Sequence, residues 1–450
     1  MGLLEKDIRQ TFIEFLIPSV GGMMGTSLYI LGDTMMVGRG LGSQGLAALN
    51  ISIPTINVLY GLGLLFGIGG ATALSISRGQ NRPDLVDSIF TRSILMSLIV
   101  GVILTLVRVF FLDELVLFLG ASKATFQMSK DYLGILMSFS MVFILNHTLT
   151  VMVRNDGAPK LAMWGMLSGN ITNIILDYIF IFIFNWGMWG AGFATAISPM
   201  ISLAILSSHF IRKKNQVKLV RIKPHLQEAV RIVSNGVSSF ITELSAGIVI
   251  FAFNLSILNI TGDIGVSAYS IIANLSLICA AIFTGVGQAI QPIVSINFGA
   301  GKMERVYESV KLAIYCAFGL GVLFYGAGLV FPEFLVSIFS KDNSALMAIT
   351  VRGIKLYFAS FLLMGVNIVM VLYLQSKELA GMAMVISLLR GFFLIIIILM
   401  ILPRILGLDG VWLTLPLVEL ITLAVSAGLY RVCRDALIYR PQGGLLLRSR

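Results

Sequence analysis

LGSQGLAALNI (41–51) and TGDIGVSAYSI (261–271) decide the fold, because they are one stretch written twice, 220 residues apart. Gly42, Gly45, Ala48 and Ile51 meet Gly262, Gly265, Ala268 and Ile271. At the same offset Gly67 meets Gly287, Ser75 and Ile76 meet Ser295 and Ile296, and Gly79 meets Gly299. The loop GQNRPDLV (79–86) meets GAGKMERV (299–306), and GMWG (187–190) meets GLDG (407–410). A single match carries little weight in a chain rich in Gly and Ile. One ungapped offset from residue 42 to residue 190 carries much more, and the chain reads as two structural repeats.

Composition says what each repeat is made of. Of 450 residues, 57% are hydrophobic and only 12% charged, with a mean hydropathy of +0.94. A soluble chain carries about 25% charged residues, so a cytosolic enzyme, a disordered chain and a secreted disulfide scaffold are excluded. A helix needs about 20 mostly apolar residues to cross a bilayer. Twelve such stretches are predicted, near 12–37, 50–77, 89–111, 126–152, 161–184, 188–211, 231–258, 265–292, 308–330, 347–374, 380–402 and 409–431. They are continuously apolar and not alternating, which argues for helices and against barrel strands. No short apolar run with a cleavage site follows MGLLEKDIRQ (1–10), so the first span is expected to be retained. Six spans per repeat leave both repeats in one orientation, related by a twofold axis along the membrane normal. The expected fold is all-α, with twelve transmembrane helices in two pseudo-twofold-related six-helix bundles around a central cavity. The expected divisions are an N-lobe over 1–211, a cytoplasmic linker over 212–230 and a C-lobe over 231–450. Two lobes that can rock about a shared cavity are an architecture of transport.

Positive charge sets the orientation. With the N-terminus inside, the inner segments hold most of the 32 Lys and Arg, from Lys6 and Arg9 through Arg78, Arg154, Arg231, Lys302 and Arg305 to Arg434, Arg440, Arg448 and Arg450. The outer segments and span ends hold Arg39, Arg108, Lys123, Lys130, Lys341, Arg352, Lys355 and Arg404, and Arg390 falls within a span. Both termini are therefore expected in the cytoplasm, in a multi-pass protein of a bacterial or archaeal inner membrane. The same distribution accounts for the net charge of +10 without nucleic acid. The basic stretch RKKNQVKLVRIKPHLQEAVR (212–231) is read as a linker obeying that rule, with lipid-headgroup contact as a second reading. Cys279, Cys316 and Cys433 lie far apart and show neither a disulfide framework nor zinc spacing.

An ionisable side chain at membrane depth costs several kcal/mol, from about 3 upward, and marks a functional candidate. Four acids fall well inside predicted spans: Asp33, Asp177, Glu243 and Glu419. Asp33 follows Pro18 on the first span, where a proline removes a backbone hydrogen bond and is expected to kink or weaken the helix. The alternative is an acid that only caps the outer helix end. In GNITNIILDYIFIF (169–182), Asn170, Asn173 and Asp177 fall at i, i+3 and i+7 on one face. Two carboxamides and a carboxylate there suit a desolvated cation or a shared proton, while interhelical hydrogen bonding is the plainer reading. Burial raises a carboxyl pKa in general, so a site open to water on one side and closed on the other can load and unload H⁺ or Na⁺. Glu243 begins the seventh span, and Arg390 in the eleventh is its candidate partner or snorkels to the inner face. Glu419 beside Pro416 is a similar candidate. His147 and Asn146 are candidates for a polar network, with a structural role as the plainer reading.

The 29 Phe and 21 Met are read first as helix packing and lipid contact, and second as adaptable cavity walls. Gly21/Gly25, Gly63/Gly67 and Gly165/Gly169 are spaced for close helix contact. GLGLLFGIGG (61–70) lies inside an apolar span with no strand before it, so a dinucleotide loop is rejected. FGAGKM (298–303) lacks the P-loop spacing, and no HExxH or GxSxG occurs.

With LGDTMMVGRGLGSQGLAALN (31–50), VRNDGAPKLAMWGMLSGNITNIILDYIFIF (153–182) and GMWGAGFATAIS (187–198), the chain resembles the multidrug and toxic compound extrusion (MATE) family, most closely its prokaryotic DinF-like branch. The resemblance covers nearly the whole chain and rests on order and spacing. It implies export of amphipathic, often cationic compounds in exchange for Na⁺ or H⁺, with no other cofactor, by a monomer in the bilayer. Residue by residue it implies a first-helix Pro18 and Asp33, a fifth-helix Asn173 and Asp177, and a sixth-helix Thr195 as the cation site, which as a metal site would hold Na⁺. Glu243 resembles the family's seventh-helix glutamate. The tenth span has no acid, only Asn367 among its internal amides, so the coupling site is expected in the N-lobe. Asn170, Pro18, Glu243 and Arg390 are the candidates for substrate or conformational roles. A lipid-linked precursor flippase of related architecture is the second hypothesis, and a membrane-embedded enzyme the third, which no catalytic constellation supports.

Overall fold

The computed structural model describes residues 2–339 and 344–432. Lys341, Cys433, Arg434, Arg440, Arg448 and Arg450 lie outside the described residues. Within the described residues the chain is helical, with no strand. The helices are α1 (Gly2–Glu5), α2 (Ile8–Gly79), α3 (Pro83–Phe118), α4 (Phe126–Ser138), α5 (Ser140–Asn155), α6 (Pro159–Asp177), α7 (Gly187–Ile211) and α8 (Leu226–Thr261). Then follow α9 (Asp263–Gly299), α10 (Met303–Val330), α11 (Pro332–Ser337), α12 (Ser344–Tyr357), α13 (Phe361–Ser376), α14 (Ala380–Leu388), α15 (Leu394–Leu406) and α16 (Leu408–Val432). Ten helical stretches are long and apolar enough to cross a membrane, and α4 with α5, bent by 55°, makes an eleventh. A π-helical turn, Tyr178–Ile183, extends α6, and a second, Leu389–Phe393, joins α14 to α15.

At a rise of 1.5 Å per residue, the 72 residues of α2 would be about 108 Å long if straight, more than three times the hydrocarbon thickness. The helix breaks once, at Gly42, with φ 67° and ψ −159°. Only glycine enters that region without a Cβ penalty. Its repeat partner Gly262 has φ 66° and ψ −154° and separates α8 from α9. The loop expected over 38–49 is thus one residue wide, because a single glycine suffices to reverse the chain.

The repeat is also visible in other turns. Positive φ recurs at Asn81 (61°) and Gly301 (72°), and at Gly187 (61°) and Gly407 (59°), each pair 220 apart. The turn before the fifth helix of each repeat departs from this: Gly157 (88°) corresponds to Glu378 (59°), 221 apart. The ungapped offset is therefore corrected. A loop takes up one residue without disturbing helix packing, and the register returns by Gly187 and Gly407, across the stretches that hold the π turns.

Two hydrophobic clusters organise the interior. One is drawn mainly from 37–217, the other mainly from 253–418. Each borrows from the other half: Ile8, Phe12 and Phe15 sit in the second cluster, and Ile232 in the first. Phe12 and Ile232 are repeat equivalents, so the exchange is reciprocal. The halves touch closely along α2, α8 and α9. A Cβ built on Gly236 would lie 1.9 Å from the Leu65 carbonyl oxygen, and one on Gly69 would lie 2.0 Å from that of Ile232. Gly79 abuts Ile296 while Gly299 abuts Ile76, a self-complementary contact of the kind a twofold axis produces.

Hydrogen bonds between the halves all lie at the end that carries the N-terminus, among the described residues. Asn155 donates to Gln291 Oε1, Gln291 to Thr72 Oγ1, and Arg231 to Ser77 Oγ. Arg305 and Asn297 donate to the carbonyls of residues 3 and 6. The linker is docked on the first half: Lys218 N donates to Asp87, Gln216 N to Asp156, and Arg92 to the Lys223 carbonyl.

Candidate functional site

α2 and α6 come together because small residues face large ones. Gly21, Gly22, Gly25 and Gly32 of α2 lie against Met163, Met166, Leu167 and Ile174 of α6. The other two glycine pairs act likewise, Gly63/Gly67 against α5 and Gly165/Gly169 against α7. Asp33 then stands nine residues before the Gly42 break, about 14 Å along the helix from it. Asp177 is the last residue of α6, and the π turn begins directly after it. Such turns widen the helix and recur at functional sites.

These placements bring four of the expected residues into one buried group. Asp33 is 7% exposed, Asp177 0%, Asn173 1% and Thr195 4%. The Asp33 and Asp177 carboxyl groups lie within hydrogen-bonding reach of each other. With its carboxamide turned to suit its neighbours, Asn173 donates to Asp177 Oδ2 at 2.7 Å and accepts from Thr195 N at 3.1 Å. Thr195 Oγ1 donates to the Ala191 carbonyl at 2.9 Å, with the Tyr132 hydroxyl 3.5 Å away. Tyr29 and Tyr132 are close enough to feel both acids. Asp33 Oδ1 and Asp177 Oδ1 are buried and have no partner. Two adjacent carboxylates withdrawn from water cannot both stay charged without a positive partner. The arrangement suits a shared proton or a small hard cation, which oxygen atoms bind.

Asn173 and Thr195 form part of the wall of a small pocket of about 40 Å³, whose other lining residues include Thr26, Tyr29, Tyr60, Asn146, His147, Asn170 and Ser202 beside Phe143, Met166 and Pro199. Asn170 Nδ2 donates to Thr26 Oγ1 at 3.2 Å, and the His147 ring lies 3.8 Å from that of Tyr60. Asn173 therefore touches both Asp177 and the cavity, and Thr195 connects to the acids through Asn173.

Other expectations change. Pro18 is buried, and backbone dihedrals stay helical through it, Gly42 being the sole exception in α2; tight packing of α2 against its neighbours holds the helix across the missing hydrogen bond. Glu243 is half-buried on α8 and has no hydrogen-bond or ion-pair partner among the described residues. Arg390 does not pair with Glu243; its Nε donates to Glu419 Oε1 at 2.8 Å. Glu419 is wholly buried and needs the counter-charge more than a half-buried acid does. Asn367 Nδ2 completes that cluster at 2.7 Å from Glu419 Oε2.

Sequence reasoning missed the two tyrosines and Arg154. Arg154 is 3% exposed, reaches Gln288 of the other half through Nη1, and leaves Nε and Nη2 without partners. It reads as an inner-end charge because nothing in local spacing reveals a contact 134 residues away.

The MatE family model matches residues 18–179 and 239–402, one stretch in each repeat. Multidrug export protein MepA of Staphylococcus saprophyticus is 28% identical over 440 residues, covering 96% of both chains. MepA of Staphylococcus aureus strain NCTC 8325 is 27% identical over 437 residues, with the same coverage. A solved multidrug resistance MATE family transporter in its outward-facing conformation superposes with a TM-score of 0.90 over 98% of both chains at 22% identity, a likeness of fold. A two-repeat helical membrane chain with a buried acid pair beside a polar cavity, matched in both repeats, belongs to the MatE family of transporters and is not an enzyme.

Proposed function

We propose that this chain is a multidrug efflux antiporter that exchanges Na⁺ or H⁺ for amphipathic, often cationic compounds. The observation that carries the reading is the Asp33–Asp177 pair, whose unpartnered oxygens sit behind a cavity wall made by Asn173 and Thr195. Relatives named for multidrug export support the substrate class. In this reading α2 is two spans divided at Gly42 and α4 with α5 is one, giving twelve crossings. The lobes are 1–211 and 231–450, joined by the linker 212–230, and the protein works as a monomer. With positive charge inside, the end at which the two halves are hydrogen-bonded to each other faces the cytoplasm.

A cation drives export only through different affinities for the two conformations. Its arrival between Asp33 and Asp177 offsets one of the pair's two negative charges, reshapes the wall at Asn173 and Thr195, and weakens the hold on a cationic passenger. Pro18 offers the bend, and Asn170 and the unpaired Glu243 offer polar contacts to the passenger. No observation favours the flippase reading. The test is uptake of a fluorescent cationic dye by proteoliposomes with Na⁺ and pH gradients imposed separately. Asp177→Asn is expected to lower gradient-driven transport at least about tenfold while the protein stays monodisperse. Full transport by that variant would sink the reading.

A further inference from the structure

Arg390, Glu419 and Asn367 form a charged cluster inside the second repeat that the proposed cycle does not use. Arg390 holds Glu419 at 2.8 Å, and Asn367 Nδ2 donates both to Glu419 Oε2 at 2.7 Å and to its carbonyl at 2.9 Å. The Glu419 side chain is 0% exposed and that of Arg390 19%. Arg390 lies in the π turn Leu389–Phe393, and the next residue, Gly391, abuts Ser245 of α8. Tyr357 is an ionisable group near both charges.

The repeat says where this cluster stands. In the register of the Gly157/Glu378 turn, Asn367 and Arg390 take the places of Asn146 and Gly169. In the register of Gly187/Gly407, Glu419 takes the place of Pro199. All three of those first-repeat residues line the cavity beside the acid pair. The positions of Asp33 and Asp177 are taken by apolar residues, Phe253 and Ile397. Each repeat thus holds a buried carboxylate around the same pseudo-equivalent place, but with opposite arrangements for its counter-charge. The first repeat has none of its own and must draw one from solution. The second has a guanidinium, which is not deprotonated in proteins, covalently attached.

We infer that Arg390 is a tethered counter-ion to Glu419, filling in the second repeat the role that an exchangeable cation fills in the first. This rests on the antiporter reading for the exchangeable cation of the first repeat, but its test does not need transport. Cations bound per chain are counted on the purified full-length protein, as ²²Na⁺ at saturation and as protons taken up on acidification. R390M is expected to bind one cation more than wild type, Na⁺ or H⁺, because Glu419 then needs a replacement. R390M/E419Q is expected to return to the wild-type number, and R390K to keep it. A folded R390M with an unchanged number overturns the inference. Where R390M alone does not fold, the double variant still decides: the wild-type number supports the tether. One cation fewer than wild type overturns it, because Glu419 would then have been holding an exchangeable ion. The acid-pair reading is judged separately, by whether Asp177→Asn binds fewer cations than wild type. It fails if wild type binds none, and the difference between R390M and wild type still reports on Arg390.

Discussion

A carboxyl group facing another carboxyl group away from water is a residue under electrostatic load. Asp33 and Asp177 are each buried with an oxygen that finds no partner. Relieving the like-charge contact should therefore stabilise the fold while removing the function. In sodium-free buffer at alkaline pH, Asp33→Asn is expected to melt a few degrees higher than wild type, as replacing one of two repelling charges removes their mutual cost. Differential scanning fluorimetry reads this directly, and a lower melting temperature would mean that the pair is not strained. Asn173 has a separate task, since its carboxamide ties Asp177 to the Thr195 backbone. Hydrogen bonds to charged groups are worth about 1.5–3 kcal/mol, so Asn173→Leu should weaken cation binding about 10- to 100-fold, measured by ²²Na⁺ or proton titration. At this scale the i, i+3, i+7 stripe of Asn170, Asn173 and Asp177 was legible, because helical periodicity is a local property. The partner of Arg390 was not, because Glu243 and Glu419 are both acids within spans and only packing says which one meets the guanidinium.

Among the elements, contact between α2 and α8 depends on the absence of side chains. Gly236 lies so close to the Leu65 carbonyl that a methyl group cannot enter without moving backbone. Gly236→Ala should overpack this crossing by about 1–3 kcal/mol despite alanine's better helix propensity. The melting temperature should fall by several degrees; no fall would mean that the halves separate more readily than these contacts imply. Gly42 differs, since a built Cβ meets nothing within 4 Å and its constraint is the positive φ alone. Gly42→Ala and Gly42→Asn should each cost about 1–3 kcal/mol through backbone strain, because a ψ of −159° lies outside the left-handed helical region that asparagine tolerates. The repeat made the Gly42/Gly262 correspondence readable. The extension of helix through 38–49, the 55° bend after Ser138 and the two π turns were not readable, since turn signals locate breaks poorly when a single residue suffices.

For the molecule as a whole, side-chain hydrogen bonds join the two halves at the end that carries the N-terminus. Arg154 and Asn155 of one half meet Gln288 and Gln291 of the other in a buried polar contact that contains no acid. Gln288→Leu takes away the acceptor and leaves the Arg154 guanidinium more exposed to burial without partners. A lost partner for a buried charged donor costs about 2–3 kcal/mol, enough to shift a two-state population about 30- to 100-fold. Spin labels at the exposed repeat equivalents Asp84 and Glu304, in a background without native cysteines, should report a longer distance in that variant. An unchanged distance distribution would show that the polar contact is not what holds the halves together at this end. By itself the sequence determined the helical membrane class, the doubled architecture, the positions of the buried acids and the stripe that carries Asp177, because hydropathy, repetition and helical period are all written along the chain. Only the tertiary structure decided that Asp33 faces Asp177, that Arg390 belongs to Glu419, and that Phe12 and Ile232 each pack in the opposite half. Those pairings join residues more than a helix apart, and apolar helices of similar composition leave them open until close packing selects one arrangement.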